Sequence, residues 1–495
     1  MSDKDVKSPV EQEPSETAAQ VERPSAPPSS PPKLGGMKGG RQRLLLRAWG
    51  ALAALIVLAL AGIFITKSGI DSILPLLGVL VLMMFAWVTI RNASFAWLRG
   101  TVVPVLAVVT ALIIGSFVIA LTDPLVLESA GNFLEDPAAV LRHAWDAVSL
   151  AYRSLFEGAL GSPAKITAGL ESWIVEGDAG PLRSAVRPLS ESITKSIPYI
   201  LAGLSVALGF RAGLFNIGAE GQFVVGGLCS VVVGYQLTGL PAYIHLPLAV
   251  IAGALAAGIW SAIPGLLKAW TGAHEVINTI MMNWIAFRLI EYLLREPLEK
   301  TQGTHRTPDV LPTAELPRFF SHPLRLHAGL ILALAAAVFV YWFLWKTTWG
   351  FEMRTVGANP DAARYGGINI KRNIVLAMFI SGALAGLSGV SESLGLTHNM
   401  SLGFSAGYGF DSIALALLGG SHPLGVVLAS FLFGILRAGG TRMMSVAGIP
   451  LEITSIVQSM VIVFIAAPAI IRGVYRLRAE REELGPAMIT RGWGS

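Results

Sequence analysis

Cysteine and charge are what this chain has least of. One cysteine, Cys229, stands among 495 residues, so no intrachain disulfide can form, and its place inside an apolar run reads as packing. Charged residues make up 14% of the chain against 53% hydrophobic, with a mean hydropathy of +0.61, which excludes an ordinary soluble globular protein. Alternation is missing too: the apolar runs are continuous, which argues against a β-barrel. No G-x-x-x-x-G-K-[ST] occurs, so the chain does not itself cradle nucleotide phosphates. There is no nucleophile elbow or family-typical catalytic pairing. His274-Glu275-Val276-Ile277-Asn278 starts like a zinc-protease helix, but Asn278 stands where the second histidine ligand would have to be. Neither an enzyme, a metal site nor a cofactor is indicated. The net charge of +5 lies mainly in tails and short loops and does not point to nucleic acid.

What is present reads as an all-α polytopic membrane protein. The 53 glycines suit close helix packing and broken helices, because small residues let backbones approach where no hydrophobic force drives association. Residues 1–43, rich in Pro, Ser and Glu, cannot bury enough apolar surface to fold and read as a disordered cytoplasmic tail. With about 20 apolar residues per crossing as the ruler, Ala48 to Ile65, Ser72 to Ile90 and Thr101 to Thr122 are spans. Arg91 and Arg99 place the intervening loop in the cytoplasm. Residues 101–195 therefore hold one span and an outer segment in which Asp136-Pro137 looks like a helix start. Leu141, Trp145, Val148, Tyr152 and Leu155 follow at helical spacing. Two readings of that helix stay open: amphipathic on the membrane face, or packed on the outer rim of the bundle.

The next spans are Ser196 to Phe210, short for a crossing, then Phe223 to Leu240, Leu246 to Leu267 and Val276 to Leu294, followed by Ala328 to Trp345 and Ile374 to Val390. Ile413 to Leu418 and Leu424 to Leu436 are each too short to cross and read as a re-entrant hairpin. Ile453 to Ile471 ends the set at a basic, cytoplasmic end, with a C-terminal tail over 473–495. The sum is about ten transmembrane helices plus the hairpin. Both termini are expected in the cytoplasm, although the basic residues between Arg295 and Arg325 run against the positive-inside rule.

Two segments carry candidate function. Arg211 to Phe223, R-A-G-L-F-N-I-G-A-E-G-Q-F, is a polar, glycine-rich break between apolar runs, and such a break persists at membrane depth only where protein or a water-filled cavity satisfies it. Asn216, Glu220 and Gln222 there, with Asn278 and Asn283 further on, are candidate pathway groups, and Phe215 and Trp284 are candidates to stack a nucleobase. For the polar groups a backbone-bonding role is equally open, and for the two aromatics packing between helices is the commoner role. The second segment is the cytoplasmic loop, residues 347–373. A turn at Asn359-Pro360 leads into a helix-prone stretch, Asp361 to Tyr365, stopped by Gly366-Gly367, which favours the docking of a partner.

The segments G-L-F-N-I-G-A-E-G-Q-F, H-E-V-I-N-T-I-M-M-N-W, V-G-A-N-P-D-A-A-R-Y-G-G-I-N and F-D-S-I-A-L-A-L-L-G-G-S-H-P-L-G, in that order, resemble permease subunits of ABC importers of the branched-chain amino-acid and simple-sugar superfamily. Within it the chain resembles the nucleoside-uptake branch that works with basic-membrane-protein-type binding lipoproteins. The likeness runs from about Tyr152 to Arg472, so the core is expected over 196–472, and residues 44–100 hold two extra spans of unassigned role. The resemblance implies a bacterial inner-membrane permease for nucleosides, the alternatives being simple sugars, branched-chain amino acids or, from another class, a secondary transporter. It also implies a second homologous permease subunit, a cytoplasmic ABC ATPase that hydrolyses the ATP, and an extracytoplasmic substrate-binding lipoprotein. Carried over residue by residue, the loop becomes a coupling loop in which Gly357, Ala358, Asn359, Ala362, Ala363, Tyr365 and Gly366 meet the ATPase. Arg354 and Arg364 stand ready to pair with acidic rims there.

Overall fold

A computed structural model describes residues 96–131, 136–405 and 407–475. The expected N-terminal tail, the spans Ala48 to Ile65 and Ser72 to Ile90, and the tail beyond residue 475 lie outside the described residues. Those described are helical apart from loops and two isolated bridges. In chain order the helices are α1 (Ala96–Thr122), α2 (Pro124–Ala130), α3 (Pro137–Leu160), α4 (Pro163–Glu176), α5 (Gly180–Arg211), α6 (Ala219–Gln236), α7 (Ala242–Thr271), α8 (Glu275–Arg295), α9 (Gly329–Lys346), α10 (Thr348–Ala358), α11 (Pro360–Tyr365), α12 (Ile370–Glu392), α13 (Tyr408–Leu418), α14 (Pro423–Ala447), α15 (Leu451–Ala466) and α16 (Pro468–Val474). Among the described residues, 6 helices are long and apolar enough to cross a membrane: those of α1, α5, α7, α9, α12 with its π-helical extension to Thr397, and α14. The sequence-read spans at Phe223 to Leu240 and Val276 to Leu294 correspond to α6 and α8, which carry polar groups such as Glu220 and Glu291.

Capping residues set several of these boundaries. Asp136 accepts from the Ala139 amide at 3.0 Å to open α3 at the expected Asp-Pro pair, satisfying one of the orphan donors of a helix start. From there α3 packs Leu155 against Gly439 of α14 while Leu141 is 70% exposed.

The short span expected at Ser196 to Phe210 is instead the second half of a 32-residue helix, α5. Hydropathy hid the first half because it carries Arg183, Arg187, Glu191 and Lys195 beside its hydroxyls. Several of those hydroxyls are buried and bonded: Thr194 donates to the Ser190 carbonyl, Ser196 to the Ser192 carbonyl and Ser192 across to the Ala159 carbonyl. The hairpin also differs in proportion. Its first arm, α13, stays short at 11 residues, but α14 runs for 25. Arg437 and Arg442 ended the apolar run in the sequence without ending the helix, since Asp411 lies 3.7 Å from Arg437 and Glu157 3.0 Å from Arg442.

The centre of the bundle is built from backbone held against backbone. A β-carbon on Gly386 of α12 would overlap Ala257 of α7, one on Gly226 of α6 would overlap Gly386, and one on Gly389 would overlap the Phe223 carbonyl. Glycine is required at these crossings to let α6, α7 and α12 meet.

Candidate functional site

The break at Arg211 to Phe223 forms where α5 ends and α6 begins. Gly213 takes φ 71°, a left-handed conformation open to glycine, and the Leu214 amide donates back to the Gly209 carbonyl at 2.9 Å. The chain thereby reverses within a few residues, leaving several amides without helical partners. Side chains supply them. Asn216 is fully buried; its Oδ1 accepts from the Gly218 amide and from Gln222 Nε2, both at 3.0 Å. Its Nδ2 donates to Gln222 Oε1 and to Ser381 Oγ of α12, both at 2.9 Å. Gln222 Nε2 reaches Ser261 Oγ of α7 at 3.0 Å. From α8, Asn283 accepts from the Gly221 amide at 2.8 Å and donates to the Ile217 carbonyl at 2.9 Å. Asn216, Gln222 and Asn283 thus bind the break to α7, α8 and α12, the backbone-satisfying role left open for them above.

Glu220 is also fully buried and holds a different element. Its carboxylate accepts from the Ser405 hydroxyl and from the amides of Gly407 at 3.0 Å, Gly409 at 2.5 Å and Phe410 at 3.3 Å. An anion at a helix N-terminus is favoured by both the unpaired amides and the helix dipole. Glu220 therefore pins the start of α13 inside the bundle.

The remaining candidates do not join this cluster. Phe215 leans on Phe210 with ring centroids 5.1 Å apart. Trp284 is 57% exposed and meets Phe287 edge-on, on the face of α8 away from the break. Asn278 keeps a buried Nδ2 with no partner among the described residues.

The second expected segment folds as the sequence suggests. Asn359 caps α11 by accepting from the amides of Asp361 and Ala362 at 3.0 and 3.1 Å, and Gly367 at φ 78° ends it. Ala358, Asn359, Ala362, Arg364, Tyr365 and Gly366 are exposed, Tyr365 at 98%. Arg354, Gly357 and Ala363 instead face the chain's own body. Ala363 is fully buried, and Arg354 donates to the Leu344 carbonyl at 2.9 Å with its guanidinium 5.9 Å from the Trp345 ring. Gly357 abuts the polar break, where a β-carbon on it would come within 2.7 Å of the Gly213 nitrogen. Arg211 donates to the carbonyls of Gly420 and Ser421 at 3.0 Å each and lies 5.5 Å from the Trp345 ring. One end of the bundle thus gathers α10, the break and the turn between α13 and α14.

A further group was missed in the sequence. Tyr199 of α5 donates to Asp411 Oδ2 of α13 at 2.8 Å, and Arg437 of α14 donates to the Tyr199 hydroxyl at 2.8 Å. The Arg437 guanidinium lies 4.7 Å from the Tyr408 ring. Beside them, Lys195 of α5 lies 3.6 Å from Glu392 of α12. The available signal was an aspartate and an arginine inside otherwise apolar segments, which marks a functional position by default.

A family model described as branched-chain amino acid transport system / permease component matches residues 189–466, a stretch holding the break, α10, α11 and the Asp411–Arg437 pair. The chain is similar to the guanosine ABC transporter permease protein NupP of Bacillus subtilis, 46% identical over 58% of this chain and 83% of the relative. It is similar to the nucleoside ABC transporter permease protein NupB of Lactococcus lactis, 37% identical over 58% of this chain and 81% of the relative. It is also similar to the glucose ABC transporter permease protein TsgB13 of Haloferax volcanii, 38% identical over 56% of this chain and 75% of the relative. No solved structure matches. With its apolar helices, the polar break between α5 and α6 and a family match over more than half its length, this multi-pass membrane protein belongs to the permease-component family of branched-chain amino acid transport systems.

Proposed function

We propose that the chain is the permease subunit of an ATP-driven importer carrying nucleosides across the bacterial inner membrane. It works with a second homologous permease, a cytoplasmic ABC ATPase that hydrolyses the ATP, and an extracytoplasmic lipoprotein that delivers solute. The observation that carries this reading is the seating of Gly357 on the break at Gly213, since it joins an exposed, capped helix to the polar break between α5 and α6. The end bearing α11 is cytoplasmic in this reading, in keeping with Lys346, Lys371 and Arg372 there.

A push on α11 is transmitted through α10 to the break. It also reaches the turn between α13 and α14 through Arg211, which holds that turn by two hydrogen bonds. A rigid connection of this kind biases a two-state element, and here the element is the short helix α13 hung from Glu220. The nucleoside assignment is supported by the names of the guanosine and nucleoside relatives. A second reading, sugar import, is favoured by the glucose permease relative.

Uptake of labelled adenosine, glucose and leucine, compared between cells with and without the gene, tests the assignment. Adenosine uptake that depends on the gene is the expected result. Gene-dependent uptake of glucose alone moves the assignment to the sugar reading, and of leucine alone removes both.

A further inference from the structure

We propose that Asp411 and Arg437, held by Tyr199, form the solute-reading site of the pathway and recognise a vicinal diol on a neutral solute, the chemistry shared by a ribonucleoside and a simple sugar. The inference rests on the import reading above.

Depth is the first argument. Arg437 is 14 residues into α14 from Pro423, which at 1.5 Å per residue puts it about 21 Å from that end, within a hydrocarbon layer about 30 Å thick. Lys195 lies near the middle of α5. Exposure is the second. The side chains of Arg437 and Asp411 are 33% and 29% exposed, and Phe410 beside them is 46% exposed. Open charge facing hydrocarbon is expensive, so this surface fits one facing a polar pathway.

Chemistry is the third. Tyr199 and Arg437 both engage Oδ2 of Asp411, and a carboxylate has about four acceptor positions, so capacity remains for the two O–H donors of a diol. Arg437 donates to the Tyr199 hydroxyl and lies 3.7 Å from Asp411, which fixes the carboxylate in place. The Phe410 ring offers a face for stacking. Behind them the fully buried Tyr408 ring, 4.8 Å from that of Tyr199 and 4.7 Å from the Arg437 guanidinium, holds both side chains in place. With the two charges paired, the site suits an uncharged solute.

The test uses the complete transporter in cells and compares adenosine with dideoxyadenosine, which lacks the diol. For D411N the expected result is a fall of about tenfold or more in adenosine uptake, with dideoxyadenosine uptake within about twofold of the unsubstituted protein, because a site built to bond a hydroxyl discriminates by that bond. D411E is expected to recover part of the adenosine rate. Equal loss of both solutes at unchanged membrane abundance overturns the proposal and leaves Asp411 a structural residue. Should D411N fail to reach the membrane, F410A serves in its place, with a larger loss for adenosine than for ribose expected and equal rates counting against the site. If the cells take up glucose and not adenosine, the nucleoside assignment fails while the site is still tested with glucose against deoxyglucose. Gene-dependent uptake of leucine alone overturns both.

Discussion

Gly213 and Gly357 meet backbone to backbone: a β-carbon on Gly213 would stand 2.8 Å from the Cα of Gly357 and 3.1 Å from its carbonyl oxygen. No side chain cushions this contact between the break and α10, so a displacement of either segment is felt by the other. Overpacking of this kind costs about 1–3 kcal/mol. G357A is therefore expected to reduce uptake by about tenfold or more at normal membrane abundance, read as initial transport rate per unit of permease on a membrane blot. An unchanged rate would remove the contact from the coupling route.

The exposed and buried faces of α11 separate docking from folding. A362E places a charge on the exposed side and is expected to abolish uptake while the permease keeps its abundance and melting temperature in detergent. A363E forces a charge into a fully buried site and should lower both stability and uptake. Normal transport by A362E refutes the docking surface.

Glu220 is expected to matter first for stability. E220A leaves the Ser405 hydroxyl and the amides of Gly407, Gly409 and Phe410 without their common acceptor, at about 1–3 kcal/mol for each donor left unsatisfied. The purified variant should melt at lower temperature than the unsubstituted protein, and its uptake should fall with it. A variant that melts normally yet does not transport would instead point to direct contact between Glu220 and solute.

N216A breaks the link between the break and α12. Loss of the bonds to Ser381 and Gln222 should cost about 1–3 kcal/mol, and the double variant N216A/S381A should cost less than the sum of the single ones, since the two residues share a bond. Strict additivity in thermal melts is the contrary result.

At the end bearing α11, Glu352 is held below the ordinary glutamate range by hydrogen bonds from Asn373 and from Arg372, the latter at 2.6 Å. A carboxylate whose folded pKa is depressed contributes stability that is present above the unfolded pKa and lost as pH falls through the folded one. E352Q should thus melt below the unsubstituted protein at neutral pH, with the difference closing as the pH is lowered through that depressed range. A difference that grows on acidification contradicts the clasp.

Much of this architecture is legible in local sequence. Asn359-Pro360 and Gly366-Gly367 announce α11 because capping and helix termination depend on neighbouring residues alone. The break is legible because asparagine, glutamate and glutamine cluster with glycine between apolar runs. The roles of Asn216, Gln222 and Asn283 are not, because their partners Ser381, Ser261 and Ile217 are mostly distant in the chain. The first half of α5 escapes a hydropathy ruler because Arg183, Arg187, Glu191 and Lys195 and its hydroxyls score as polar, although Ser192 and Thr194 bond to carbonyls of α3 and α5. Asp411 and Arg437 belong to different helices, so only the fold makes them a pair.

The glycine crossings of α6, α7 and α12 also decide which parts of the permease stay still. Helices separated by side chains can slide as those side chains change rotamer, but helices seated on one another's main chain have no such bearing. The three are therefore expected to move together as a single block. A single added methyl group at Gly386 is expected to lower transport by wedging these three helices apart, without touching α13 or α14.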